Sequence, residues 1–423
     1  MRKGETIRLT IESLGTAGDG RASADGRTVF APFALPGEIV DVRLVAEREA
    51  NWHGEVIHWE RRATERATPP CPHFGDCGGC ALQHLEGDAY ARLMAERLNH
   101  ALASHGLDTA CIQPMARIPA GTRRRTRLAA HHHRSGVALG YRARGTRWVV
   151  DIAGCGLLTD QLARMLTPIR EVLLDRLPAG QSCEVSLCET DTGVDMVMHN
   201  LPAASLAARE ELAAFAGMAD LARLSVEEPG TPSETIVERR TPVMRVGGME
   251  IPYPAGAFLQ PSAEGEAALR DWVSGWLGDA ARIADLYAGL GGLTAGLAAT
   301  GARVHAVEGD NAMMGALATA AGRAGLGITT EARDIARQPL AEAKLRRFDA
   351  VVFDPPRAGA RAQAEMLATS EVPLVAAVSC NAATFGRDAA ILTAGGYMLD
   401  VVHPLDQFPY SPHVELAALF RRP

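Results

Sequence analysis

Long hydrophobic runs are missing from this chain of 423 residues. No apolar stretch approaches the roughly 18 residues that a membrane span needs, and the opening MRKGETIRLT lacks the apolar h-region of a signal peptide. Both absences predict a cytoplasmic protein without a membrane partner. Cysteine is scarce, with eight in all. Thiols stay reduced in that compartment, so cysteines that cluster there point to metal binding or catalysis. An excess of positive charge is also lacking: the formal net charge is −7, which argues against holding nucleic acid by bulk electrostatics alone. Local charge can still do it. The segment GTRRRTRLAAHHHR, residues 121–134, packs five arginines and three histidines into fourteen positions, enough to neutralise several phosphates. A solvated, arginine-rich strand face is the competing reading. No internal repeat or low-complexity segment stands out. The hydrophobic share of 47% and charged share of 22% are ordinary for a soluble globular protein, and the length implies about three domains.

Residues 5–59 alternate β-branched and polar side chains between glycine turns, as in ETIRLTIESLGTAGDGRA and GRTVFAPFALPGEIVDVRLV. This predicts a small antiparallel barrel of about five strands. The stretch resembles the TRAM domain, an OB-like RNA-binding module found on RNA-modifying enzymes. A polar linker, ERRATERATPP, follows. Residues 61–250 read as an α+β domain: DAYARLMAERLNHALASHGL has helical spacing, and RTRLAAHHH, SGVALGYRA, CEVSLCET and GVDMVMHN read as strands. This domain is expected to interleave with the one after it. From residue 251 onward, and most plainly after residue 262, strands and helices alternate, with ligand-type residues at strand ends. That pattern predicts an open, mostly parallel Rossmann-like sheet with its ligand across the carboxyl edge.

Three motifs of that last domain carry chemistry. In DLYAGLGGLT an acid ends a strand before a Gly-x-Gly-Gly turn that includes Gly292; missing side chains let a ligand approach backbone N–H groups at a helix N-terminus. About twenty residues later Glu308 ends the next strand in VHAVEGD, where a carboxylate can accept two ribose hydroxyls. Together they point to an adenosine cofactor. The Gly-x-Gly-x-x-Gly spacing of dinucleotide binders is missing, which favours S-adenosylmethionine over NAD. Asp354, in VVFDPPRAGA, is an acidic corner stiffened by two prolines. Cys380, in VSCNAATFGRD, ends the apolar strand LVAAV at the same sheet edge. A lone cysteine is usually packing. Followed by Asn381 and facing a cofactor, this one reads as a nucleophile. Glu415, in FPYSPHVELAALF, starts the last strand, where it can act as a base.

With these motifs in order, nearly the whole chain resembles the TRAM-containing, iron–sulfur RNA (uracil-5-)-methyltransferases, among which the 23S rRNA uracil-C5 enzymes are best known. CPHFGDCGGCALQHL and GAFLQPS add to the match. The resemblance implies an N-terminal TRAM barrel over residues 1–60, a central α+β domain with an iron–sulfur loop over 61–250, and a methyltransferase domain over 251–423. It implies methyl transfer from S-adenosylmethionine to carbon 5 of a uridine in RNA, 23S rRNA before tRNA, by a monomer. Cys380 is then the nucleophile that forms the covalent adduct at carbon 6, and Glu415 the base. Gln260, Tyr287, Gly292, Glu308, Asp334 and Asp354 line the cofactor pocket. Cys71, Cys77 and Cys80, with Cys155 from far along the chain, hold a 4Fe-4S cluster. Four thiolates suit tetrahedral zinc as well, so the choice of iron comes from the resemblance. Cys111, Cys183 and Cys188 match no motif. Two positions depart from the family: Ala288 stands where a cysteine is usual and Ser262 where an asparagine is usual. A non-catalytic RNA-binding factor would be expected to lose Cys380 or Glu415, and a redox protein would not need the VSCN motif.

Overall fold

The computed structural model describes residues 1–203, 205–228 and 230–423. Its packing groups them into two compact units. One comprises Met1–Glu96, Tyr141–Val150 and Phe408–His413; the other comprises Arg97–Gly140, Asp151–Gln407 and Val414–Pro423. These bounds cut across the three stretches delimited from sequence, because the chain leaves each unit and returns to it.

In the first unit, strands Thr6–Thr10, Ser13–Leu14, Gly20–Ala24, Arg27–Ala31, Ile39–Arg48 and Asn51–Arg61 make one sheet, one strand more than the alternation suggested. Along Ile39–Arg48 the side chains of Val40, Val42 and Leu44 point inward and join Leu9, Ile11, Val29 and Trp52 in a closed core. Period-two alternation thus converts directly into one buried face. Register breaks between Ile39–Arg48 and its partner Asn51–Arg61 are bulges, which bend and twist a long ribbon so that the sheet can close. Gly54 sits in that partner strand, where an added Cβ would fall 2.1 Å from Val42 Cγ1; only glycine allows the approach.

The segment that carries Cys71, Cys77 and Cys80 packs with the barrel in this unit. The Phe74 ring meets Phe33 edge-on at 5.1 Å and lies 5.4 Å from the ring of His84. Behind them Glu38, fully buried, accepts from Arg66 Nε at 2.7 Å, from the backbone of Leu35 and Ala63, and from Trp59 Nε1. A buried carboxylate is tolerated only with such a complete set of donors.

The second unit holds two large sheets beside the small hairpin of Val243–Val246 with Met249–Pro252. In one, Arg125–His133 lies between Gly136–Arg142 and Ser182–Thr190, followed by Gly193–His199, Arg223–Glu227 and Glu234–Glu238; all neighbours are antiparallel except Gly193–His199 with Arg223–Glu227. The other runs Ile328–Ala332, Arg303–Glu308, Arg282–Leu286, Ala350–Phe353, Leu374–Ser379, Glu415–Arg421, Met398–Asp406, Ala116–Arg117. Its first five strands are parallel, and the hairpin of Met398–Asp406 with Glu415–Arg421 is antiparallel. The short strand Ala116–Arg117 joins the far edge, which realises the expected interleaving. Strand order reverses between Arg282–Leu286 and Ala350–Phe353. In open α/β sheets a ligand crevice opens at the carboxyl ends beside such a reversal. Helix Ala263–Leu277 and helix Gly292–Ala299 cover one face through Leu269, Val273, Leu277 and Leu297. Helices Arg361–Ala368 and Ala382–Ala394 cover the other through Ala364, Leu367, Phe385 and Leu392.

Candidate active site

The carboxyl edge of the parallel sheet gathers the motifs. Asp285, the penultimate residue of strand Arg282–Leu286, is fully buried and accepts from the Thr294 hydroxyl at 2.5 Å. Burial pushes its carboxyl up to about 7. Tyr287 follows with φ of +59°, then Gly289 at +55° and Gly291 at +92°, so the turn passes through left-handed backbone where glycine is favoured. At Gly292 an added Cβ would sit 2.6 Å from Glu266 Oε1. Glu308, at the end of Arg303–Glu308, clasps the turn: its Oε2 accepts from the Gly289 N–H at 3.1 Å and its Oε1 from the Gly309 N–H at 2.6 Å. Burial raises the Tyr287 hydroxyl to about 12, helped by Asp388, Asp334 and Glu308. Asp334 itself is exposed and capped against the Arg337 N–H.

A second group faces the same edge. Asp354 follows strand Ala350–Phe353 and is held by Gln260 Nε2, which donates to Asp354 Oδ2 at 2.8 Å. Burial, first, and then Glu266 and Glu308 raise its carboxyl above the usual range. Glu415 is buried at the start of the last strand, with its carboxyl pushed well above the usual range by burial and by Asp354. Cys380 directly follows strand Leu374–Ser379 and is half-buried. Its thiol is pushed up to about 11 by burial, by Glu415 and by Asp354, with Arg357 acting the other way. Asn381, next in sequence, does structural work: its Oδ1 accepts from the Ala383 N–H at 3.1 Å, capping helix Ala382–Ala394, and its Nδ2 donates to the Arg357 carbonyl at 3.0 Å. A thiol one residue ahead of a helix N-cap feels the positive end of the helix dipole, which favours the thiolate. A half-buried thiol, a buried carboxylate and a half-buried one that sense one another, beside a glycine turn, are the parts of nucleophile–base catalysis.

Comparison with known proteins fits this geometry. Residues 2–57 match the TRAM domain. The chain is 38% identical to an uncharacterised RNA methyltransferase of Rhizobium meliloti, covering 99% of this chain and 100% of that one. It is 31% identical to the 23S rRNA (uracil(1939)-C(5))-methyltransferase RlmD of Pectobacterium atrosepticum, covering 98% and 94%. The chain belongs to the RNA uracil-C5 methyltransferases. The solved tRNA (uracil-54, C5)-methyltransferase of Pyrococcus abyssi, a complex with S-adenosyl-L-homocysteine, shares the fold with a TM-score of 0.77 at 21% identity, over 98% of this chain and 99% of that one.

For an RNA uracil-C5 methyltransferase the loop thiols are the next question. Cys71, Cys77 and Cys80 are half-buried, and neither they nor Cys155 is disulfide-bonded. The Gly79 N–H donates to Cys77 Sγ at 3.4 Å, the Cys71 N–H donates to Gln83 Oε1, and the Gly78 N–H donates to the Arg142 carbonyl. At Gly78 an added Cβ would fall 2.5 Å from that carbonyl. Cys155 belongs to the other unit. Among the described residues, no three or more His, Cys, Asp or Glu side chains are drawn together as a metal site.

The arginine segment turns out to be mixed. Arg124 is buried: its Nε donates to the Gln260 carbonyl at 3.1 Å and its Nη2 lies 3.1 Å from Glu266 Oε2. Arg125 lies over the Phe258 ring at 4.1 Å, and Arg127 pairs with Glu184 at 2.6 Å. Arg124 is thus committed to the wall that carries Gln260 and is withdrawn from the arginines that could meet phosphates. The two departures from the family are accommodated. Ser262 caps helix Ala263–Leu277 by accepting from the Gly265 N–H at 3.0 Å, and Ala288 packs beside the core of Leu290 and Leu317. Two contributors escaped the sequence reading. Neither Glu266 nor Gln407, in HPLDQFPY, carried a motif signal.

Proposed function

We propose that the protein methylates carbon 5 of a uridine in 23S rRNA, with S-adenosylmethionine as methyl donor, Cys380 as nucleophile and Glu415 as base. The observation that carries this reading is strand register: Ser379 pairs with Leu416, which sets the half-buried Cys380 beside the buried Glu415 at the sheet edge that also bears the glycine turn. The preference for 23S rRNA draws on the relative from Pectobacterium atrosepticum.

Carbon 5 of uracil is too weak a nucleophile to take a methyl group unaided. Once the Cys380 thiol has given its proton to water, the thiolate adds to carbon 6; the carbon 5–carbon 6 double bond opens and its electron pair spreads onto carbon 5 and the carbonyl oxygen. S-Adenosylmethionine, when bound, supplies an electrophilic sulfonium methyl group for that carbon. Glu415, as carboxylate, then takes the proton on carbon 5. The freed pair re-forms the double bond and the carbon 6–sulfur bond breaks, returning the thiolate. Both groups need the proton-free form, and burial opposes it in each.

Gln260, Tyr287, Gly292, Glu308, Asp334 and Asp354 would hold the methyl donor. The fit rests on open space at Gly289, where an added Cβ would meet nothing within 4 Å, and on the Glu308 carboxylate beside it. A paired target must be flipped out of its stack to reach such an edge. Cys71, Cys77, Cys80 and Cys155 would hold a 4Fe-4S cluster, which supplies thiolate-anchored cross-linking of a loop. The donor chemistry fits, since a backbone N–H already points at Cys77 Sγ, and hydrogen bonds to sulfur support iron–thiolate ligation. Localisation follows the RNA: the cytoplasm.

The test is mass spectrometry of nucleosides from separately purified 23S rRNA and tRNA of a strain lacking the gene, rescued with wild type or Cys380→Ala. Loss of 5-methyluridine from 23S rRNA that only wild type restores supports the reading. Loss from tRNA moves the target and keeps the mechanism. Unchanged 5-methyluridine in both sinks it.

A further inference from the structure

Glu415, buried, and Asp354, half-buried, are two acids at one site, and charge on both is costly. Gln407 directly follows strand Met398–Asp406 and is 4% exposed. Its Nε2 donates to Gln260 Oε1 at 2.8 Å and reaches Glu415 Oε2 at 3.5 Å. Gln260 in turn donates from Nε2 to Asp354 Oδ2 at 2.8 Å. The result is a chain, Glu415, Gln407, Gln260, Asp354, in which two neutral amides separate the acids and each acid is met by an N–H.

The amide of Gln407 is locked in this sense. Its Oε1 is buried and has no hydrogen-bond partner among the described residues. An added Cβ on Gly265 would lie 2.0 Å from that oxygen, so the space beside it is filled by the start of helix Ala263–Leu277. Turning the amide over would set oxygen against the Glu415 carboxylate and break the 2.8 Å bond to Gln260. Leaving a buried acceptor without a partner is unfavourable, and here that cost accompanies an N–H aimed at Gln260 and Glu415.

We infer that Gln407 is a positioning residue that holds Glu415 as an aimed, charged carboxylate for removal of the carbon 5 proton. This rests on the reading of Glu415 as the base. The groups facing Glu415 are otherwise unfavourable to its charge: Asp354 repels it, and Cys380 is coupled to it with the same sign once ionised. Glu266 and Glu308 act on Asp354 in the same direction. The cations nearby are spoken for elsewhere, Arg124 by Glu266 and the Gln260 carbonyl, while Arg357 opposes the rise at Cys380. Among these neighbours the Gln407 N–H is the group that lowers the Glu415 carboxyl. A carboxylate poised this way accepts the proton from carbon 5 as the carbon 6–sulfur bond breaks. Its proton-bound form no longer matches the N–H of Gln407, which helps the proton leave.

The experiment follows adduct and product separately with 23S rRNA isolated from the deletion strain, or tRNA if that is the class that loses 5-methyluridine. Wild type, Gln407→Leu, Gly265→Ala and Glu415→Gln are mixed with the RNA and the methyl-labelled donor, then quenched in denaturant across a pH series. Gln407→Leu is expected to form the covalent protein–RNA adduct and transfer the methyl group, yet release product about 10- to 100-fold more slowly, so that adduct accumulates. The acidic limb of release should move up by about one pH unit, because removing a donor to the carboxylate raises its pKa. Gly265→Ala, which crowds the same amide, should shift the limb in the same direction. An unchanged limb with no accumulation in Gln407→Leu overturns the inference, as does parallel loss of adduct formation and methyl transfer in a folded variant. If Glu415→Gln itself releases product at the wild-type rate, the reading of Glu415 fails, a result distinct from failure of Gln407 alone.

Discussion

The thiols of residues 71–80 and the thiol of Cys380 are the same functional group in two different settings. The loop thiols are half-buried among turns, and one of them, Cys77 Sγ, accepts from a backbone N–H, that of Gly79. Cys380 directly follows a buried parallel strand, senses the buried Glu415 and the half-buried Asp354, and precedes a capped helix. The loop carries three thiols within ten residues on turns and isolated bridges, Phe74 with Cys77 and Cys77 with Ala143, outside the long ladders of the sheets. The strand end can offer one sulfur to a carbon atom because everything around it is fixed. Ligation asks for several donors on pliable backbone, whereas nucleophilic addition asks for a single donor on rigid backbone.

The sharpest way to break this contrast is to remove Cys380. Cys380→Ala should lower single-turnover methyl transfer by at least about 10³-fold and abolish the covalent RNA adduct, while circular dichroism and melting stay near wild type; quenched-gel analysis checks it. Removing a loop thiol should do the reverse. Cys80→Ser is expected to give poorly soluble protein without brown colour, and a soluble variant with full iron content would refute that ligand assignment. A smaller effect follows from ionisation. Since burial and two acids lift the Cys380 thiol to about 11, the active thiolate becomes more abundant as pH rises, so pre-steady-state adduct formation should increase by up to about tenfold per unit across the neutral range. A rate flat from pH 6 to 9 would mean that bound RNA or donor resets the thiol. The smallest effect belongs to the cap beside the nucleophile: Asn381→Ala should cost about 1 kcal/mol of stability by thermal melting and loosen the Arg357 loop tied through Asn381 Nδ2.

Much of this was legible beforehand for a physical reason. Where a residue's role depends on its own strand or turn, local pattern suffices: alternation placed Val40, Val42 and Leu44 in the barrel core, and the glycines of the turn before Gly292 had to tolerate left-handed backbone. Strand-end acids such as Glu308 followed from the same logic. The arginine segment was harder to read, because its charge count does not reveal that Arg124 is buried on Glu266 or that Arg125 covers Phe258. Gln407 was invisible, since its meaning lies wholly in partners 147 and 8 residues away.

By itself the sequence determined the alternating barrel, the strand–turn–helix units and the side chains able to do nucleophile–base chemistry, because periodicity, glycine and proline act within a few residues. Tertiary structure alone decided which polar groups meet. It set Glu415 near Asp354, placed two amides between them and spent one arginine on the pocket wall. Burial and charge coupling depend on distances between strands that sequence separation does not encode, and those distances give ordinary carboxylates and a thiol their altered acidity.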